Sequence, residues 1–168
     1  MTTSLLNSFQ ERFSVPFDKY PIVLHEPNFQ HTNAKVYVDN CIDTGWVSTA
    51  GSWVTRFEDL ISDFTGSKHV VAVSNGTVAL RLALHSIGVR YNEEVLVSPL
   101  TFVATANAIS HLGAIPHFID IESDTFGIDP FLLQNYLKSN FNKKGNSVFN
   151  IRTGRRLAAI LPIHIFGN

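Results

Sequence analysis

A single cysteine, Cys41, in a chain of 168 residues excludes a disulfide framework and a cysteine-based zinc site, and it fits a reducing compartment. Long apolar runs are missing, so no segment is expected to cross a bilayer. The opening Met1-Thr2-Thr3-Ser4-Leu5-Leu6 lacks the basic start and apolar core of a secretory signal, which makes the cytoplasm the expected location. Charge of one sign is missing too. Thirteen Lys and Arg against fourteen Asp and Glu leave a formal net charge of −1, and no extended basic run offers a footprint for nucleic acid. The histidines show no ligand spacing with acids, so no metal is expected. Neither the Gly-Lys-Ser/Thr of a P-loop nor a Gly-x-Gly-x-x-Gly turn occurs, which argues against nucleoside triphosphates and NAD. A cofactor with one phosphate stays open.

What is present is 45% hydrophobic residues, enough for one well-buried soluble domain. Residues 1–31 are interrupted by Pro16, Pro21 and Pro27 and read as an arm lying on a domain or on a partner subunit. Residues 32–168 form the domain proper. Helices are expected over 32–44 and 53–64, the second with Val54, Phe57, Leu60, Ile61 and Phe64 on one face and Gly66 as its stop. Between them, Gly45-Trp46-Val47-Ser48-Thr49-Ala50-Gly51 is a glycine-flanked loop. From residue 69 the pattern alternates: strand 69–74, helix 76–87, strand 94–98, helix 101–112, strand 115–120, helix 129–139 and strand 157–163. That alternation predicts an α/β fold with a mainly parallel sheet and right-handed crossovers, helices covering both faces in three α/β/α layers. The polar stretch Asn140–Arg156 reads as a surface connection.

In such sheets ligands bind at the carboxyl ends of strands, here Ser74-Asn75, Ser98-Pro99, Asp120 and His164. The run Val70–Val73 breaks into Ser74-Asn75-Gly76-Thr77 and restarts with helical spacing at Ala79, Leu80, Ala83, Leu84 and Ile87. Ser74 or Asn75 can cap the helix, Gly76 allows close approach, and the first free N–H groups carry partial positive charge, an arrangement suited to a phosphate. An ordinary capped βα turn has the same pattern. Phe102, at the head of the following helix, either stacks on a planar ring or belongs to the core. His164 either contacts a ligand or hydrogen-bonds backbone at its strand end. The abrupt stop after Phe166-Gly167-Asn168 suggests the amino-terminal part of something longer, although a natural terminus on an edge strand is the alternative.

The segments Gly45–Gly51 with Phe57-Glu58, Ser74–Leu80, Thr101–Ala108 and Pro162–Gly167 occur in the order found in the DegT/DnrJ/EryC1/StrS family of nucleotide-sugar aminotransferases. From about residue 20 onward the chain resembles that family, and within it the branch that aminates 4-keto-6-deoxy sugar nucleotides for legionaminic acid and bacillosamine-type surface sugars. The resemblance implies a partial large domain of the fold type I, pyridoxal 5′-phosphate (PLP)-dependent transferases. It further implies a homodimer with active sites between subunits. Gly76 and Thr77 would hold the cofactor phosphate, and Phe102 would stack on its ring. Trp46, Ser48, Thr49 and His164 would lie near the sugar nucleotide, and an amino donor such as glutamate would supply the nitrogen. The lysine that carries the cofactor's Schiff base and the aspartate that pairs with the pyridinium nitrogen lie, in that family, beyond the turn where this sequence ends. Lys19, Lys35, Lys68, Lys138, Lys143 and Lys144 stand in none of the required contexts, so no catalytic residue is assigned and the chain alone is expected to be inactive, with weak or no cofactor binding. Two other readings stay open: a non-catalytic α/β binding module with a vestigial phosphate site, and a PLP-dependent sugar dehydratase relative.

Overall fold

The computed structural model describes residues 27–167, so the expected arm over 1–31 lies, up to residue 26, outside the described residues. The chain divides between Val70 and Val71 into two units. Among the described residues the first holds two helices, α1 (Ala34–Thr44) and α2 (Ser52–Thr65), each ended by a glycine in the left-handed region, Gly45 at φ 75° and Gly66 at φ 71°. Trp53 ties them, donating its indole N–H to Asn40 Oδ1 at 2.8 Å and stacking with Tyr37 at 4.4 Å between ring centroids. The guanidinium of Arg56 lies 5.0 Å from the centre of the Trp53 ring, within cation–π range.

The second unit is built on a five-stranded sheet of β1 (Glu94–Val97), β2 (Ile115–Phe118), β3 (Phe141–Lys144), β4 (Ser147–Asn150) and β5 (Arg156–Leu161). Their order across the sheet is β2-β1-β5-β4-β3. β1 pairs in parallel with β2 and β5, whereas β4 runs antiparallel to both β5 and β3. Four strands therefore point one way, and the expectation of a mainly parallel α/β sheet holds. The interior strand β1 is buried throughout, and its alternating side chains feed two cores. Val95 and Val97 join Leu84 and Ile109, which belong to helices α3 (Gly76–Ser86) and α4 (Val103–Ser110). Leu96 joins Ile119 and Phe141 on the other side, where Leu133, Tyr136 and Leu137 of α5 (Pro130–Asn140) pack. Helices on both faces make the three layers.

Two expectations fail. Residues 69–74 form no strand: Val71 and Val73 are exposed, and no ladder partner is found for them among the described residues. A β-branched run supplies the propensity, but a strand exists only as a pair. The stretch 140–156 is not a plain connection, because it contains the β3–β4 hairpin, whose register matches Phe141 to Asn150 and Lys144 to Ser147 across Gly145-Asn146. Gly145 takes φ 60°, as a two-residue hairpin turn requires. β5 stops at Leu161, short of the expected 163, since Pro162 has no N–H to continue a ladder.

Candidate functional site

Connectivity sets the site. α4 leaves the carboxyl end of β1 and returns to the start of β2, and α3 is followed after a short turn by the amino end of β1, so both helices begin at the carboxyl edge of the sheet. Gly76 and Thr77 open α3, Ser98 and Phe102 follow β1, Asp120 follows β2, and His164 follows β5.

At the head of α3, Asn75 is the cap: its backbone is extended, and its Oδ1 accepts from the Val78 N–H at 3.0 Å. Ser74 supports the cap from behind, its Oγ accepting from Asn75 Nδ2 at 3.3 Å. The N–H groups of Gly76 and Thr77 belong to the first turn and have no acceptor inside the helix, so a ligand can take them. Gly76 is exposed, and a Cβ built on it meets no atom within 4 Å, which leaves the space above the turn open. Its backbone is helical and not left-handed; glycine here supplies room rather than a special turn.

Phe102 is the cap position of α4 and offers no side-chain cap hydrogen bond. Its ring is 78% exposed, which removes it from the core and leaves its face available. The loop below it is fixed instead by polar contacts. Buried Ser98 directs its Oγ toward the Leu100 carbonyl at 3.4 Å, and the Thr101 and Thr105 hydroxyls meet at 2.7 Å. His164 is exposed just past β5.

An edge-on pair of Phe126 and Phe166, 6.5 Å between centroids, also lies beyond the ends of β2 and β5 and was not anticipated from the sequence. Its signal was the repeated Phe-Gly dipeptide, Phe126-Gly127 and Phe166-Gly167. The open N–H groups at Gly76 and Thr77, the Thr77 hydroxyl and the exposed Phe102 ring suit a phosphate joined to a planar ring. Of the lysines of this unit, Lys138 is in α5, and Lys143 and Lys144 end β3, an outermost strand, separated from β5 by β4.

The Trp46 loop belongs to the first unit. There Trp46, Ser48, Gly51 and Trp53 line a largely apolar groove of about 290 Å³ with Val38 and Val54, whereas Thr49 is exposed outside that lining. Gly51, at φ 146°, lets the loop close on Trp46, because a Cβ there would come within 3.3 Å of Trp46 Cβ. Among the described residues no helix is long and apolar enough to cross a membrane.

Comparison with known proteins bears on the family and the fold. GDP-perosamine synthase of Vibrio cholerae is 36% identical over 146 residues, covering 87% of this chain and 35% of that protein. Spore coat polysaccharide biosynthesis protein SpsC of Bacillus subtilis is 46% identical over 130 residues, 77% of this chain and 29% of that one. A putative sugar aminotransferase of Streptococcus pneumoniae, solved in its PLP form, superposes with a TM-score of 0.61 at 32% identity, covering 69% of this chain and 29% of that one. The chain thus spans about a third of the length of the curated relatives it matches. The structural neighbours are PLP-dependent aminotransferases of fold type I, whose sheet this one shares in part. With residues 29–168 matching its model, the chain belongs to the DegT/DnrJ/EryC1/StrS aminotransferase family.

Proposed function

We propose that this chain is the amino-terminal part of a PLP-dependent aminotransferase acting on a nucleotide-linked 4-keto-6-deoxy sugar, and that these 168 residues bind the cofactor weakly and do not transaminate by themselves. The observations that carry the reading are the open head of α3 and the exposed Phe102 ring. The N–H groups of Gly76 and Thr77 and the Thr77 hydroxyl donate to the phosphate, with the partial positive charge of the helix end adding to their attraction. The Phe102 face packs on the pyridine ring and keeps water from it. When bound, the cofactor supplies the electron sink of the amino transfer, and the protein supplies orientation and electrostatics.

The loop at Trp46, Ser48 and Thr49, together with His164, contacts the sugar nucleotide, in a homodimer whose sites lie between subunits. An amino acid such as glutamate is the nitrogen donor, and the cytoplasm is the compartment. Support for the sugar class comes from relatives named for GDP-perosamine and spore-coat polysaccharide synthesis. Support for inactivity comes from the lysines of the second unit: Lys138 is in α5, and Lys143 and Lys144 end β3, an outermost strand, two strands away from β5. Without the lysine that carries the Schiff base in that family, no Schiff base joins the cofactor to this chain.

The test is to incubate the purified chain with PLP, glutamate and a nucleotide-linked 4-keto-6-deoxy sugar. No amino sugar and no 2-oxoglutarate should form. Product that disappears on replacing one of the six lysines would overturn the reading.

A further inference from the structure

Glu94, the first residue of β1, is only 1% exposed, and it sits at the amino end of the sheet, away from the edge described above. A carboxylate in that position is costly unless its oxygens are satisfied. Here they are. Oε2 accepts from His117 Nδ1 and from Asn150 Nδ2, each at 2.8 Å, and Oε1 accepts from the Thr153 hydroxyl at 2.6 Å. The Arg155 guanidinium stands 3.9 Å from Oε1. His117 Nε2 lies 2.7 Å from the Tyr136 hydroxyl. An ionised carboxylate can only accept, so His117 carries its proton on Nδ1, and with a neutral ring the Tyr136 O–H donates to Nε2.

The donors come from separate elements: His117 from β2, Tyr136 through it from α5, Asn150 from the end of β4, and Thr153 from the turn into β5. Asn150 is 5% exposed, and its Oδ1 accepts from the Arg152 and Thr153 N–H groups at 2.9 and 3.2 Å. The turn is therefore folded around an amide whose other end Glu94 holds. The opposite core, under α3 and α4, is built on Leu84, Val89, Val95, Val97, Ile109 and Ala114.

We propose that the Glu94 carboxylate is an acid-sensitive clasp: ionised, it holds α5 and the β4–β5 turn against the parallel strands, and on protonation it releases that flank while the α3–α4 side stays packed. A neutral carboxyl loses the charge that strengthens all three accepted hydrogen bonds, and a proton on Oε2 would meet Asn150 Nδ2, itself a donor. Burial pushes the Glu94 carboxyl up, but the hydrogen bonds from Thr153, Asn150 and His117 outweigh it and hold it below the usual glutamate range. The folded value lies below the unfolded one. The clasp is then at full strength above the usual glutamate value and is lost as pH falls through the lowered one. Tyr136, His117 and Arg155 are the titratable and charged groups facing it, while neighbouring Glu93 is turned to Arg156 and Arg90.

Amide hydrogen exchange on the full chain, as protection factors from about pH 7 to about pH 3, tests this. At neutral pH, Glu94→Gln should lower protection at Arg152, Thr153 and Gly154 by about tenfold while leaving Val97 and Ile109 nearly unchanged. Acid should produce the same local loss in the unsubstituted chain and no further local loss in the variant. Should Glu94→Gln not fold, Thr153→Val decides. It keeps the carboxylate and removes one donor, so the local acid loss should begin at a higher pH. Unchanged turn protection in Glu94→Gln, simultaneous loss of both faces on acidification, or an unshifted onset in Thr153→Val would each overturn the proposal.

Discussion

Leu96→Ala should lower the free energy of unfolding by about 2–5 kcal/mol, a large part of the roughly 5–15 kcal/mol typical of a domain. Leu96 is 0% exposed at the centre of β1, where it packs with Ile119 and Phe141 under α5. Truncation removes buried apolar surface and leaves a cavity whose walls are two strands and a helix, which collapse poorly. A urea titration followed by circular dichroism reads the effect as a lower midpoint at unchanged slope. A shift equivalent to less than about 1 kcal/mol would show that the two faces do not meet on β1 as described.

Thr77→Val should weaken PLP binding by about ten- to a hundredfold, because a hydrogen bond to a charged group contributes about 1.5–3 kcal/mol. Phe102→Ala should cost less, since ring stacking contributes roughly 0.5–1.5 kcal/mol. Neither change should alter the urea midpoint appreciably: the Phe102 ring is exposed, and valine keeps the shape of threonine at the half-buried position 77. Absorbance titration with PLP measures both. Affinity that ignores both substitutions would place the cofactor elsewhere or nowhere.

Much of this fold was legible because periodicity and connection lengths agree. The stripe from Ala79 to Ile87 gave α3, the apolar run at 95–97 gave the interior strand β1, and alternation of strands and helices gave the parallel order. The phosphate turn was legible for the same reason, since a cap, a glycine and a helix start are local signals. Pairing is not local. Val70–Val73 has a strand's composition, yet no partner stands beside it among the described residues.

The hairpin was hidden by its polarity, although Gly145-Asn146 between two four-residue runs was a readable two-residue turn. The Glu94 cluster was invisible for another reason. Glu94, His117, Tyr136, Asn150 and Thr153 are scattered along the chain, and only the sheet order brings them together. The Trp46 loop was visible as glycines around an aromatic residue, and the close approach of Trp46 to Gly51 explains the second of them.

The central claim is that the head of α3 is a phosphate site made by an absent side chain as much as by present ones. The affinity of the chain for PLP and for pyridoxal, which lacks the phosphate, measured beside Gly76→Val, tests it most directly. A valine at position 76 points into open space and leaves the helix and its cap intact, so stability should change by no more than about 1 kcal/mol. The account predicts that the unsubstituted chain prefers PLP over pyridoxal and that Gly76→Val loses the preference. Equal affinity for the two compounds, or a preference that survives in Gly76→Val, would contradict it.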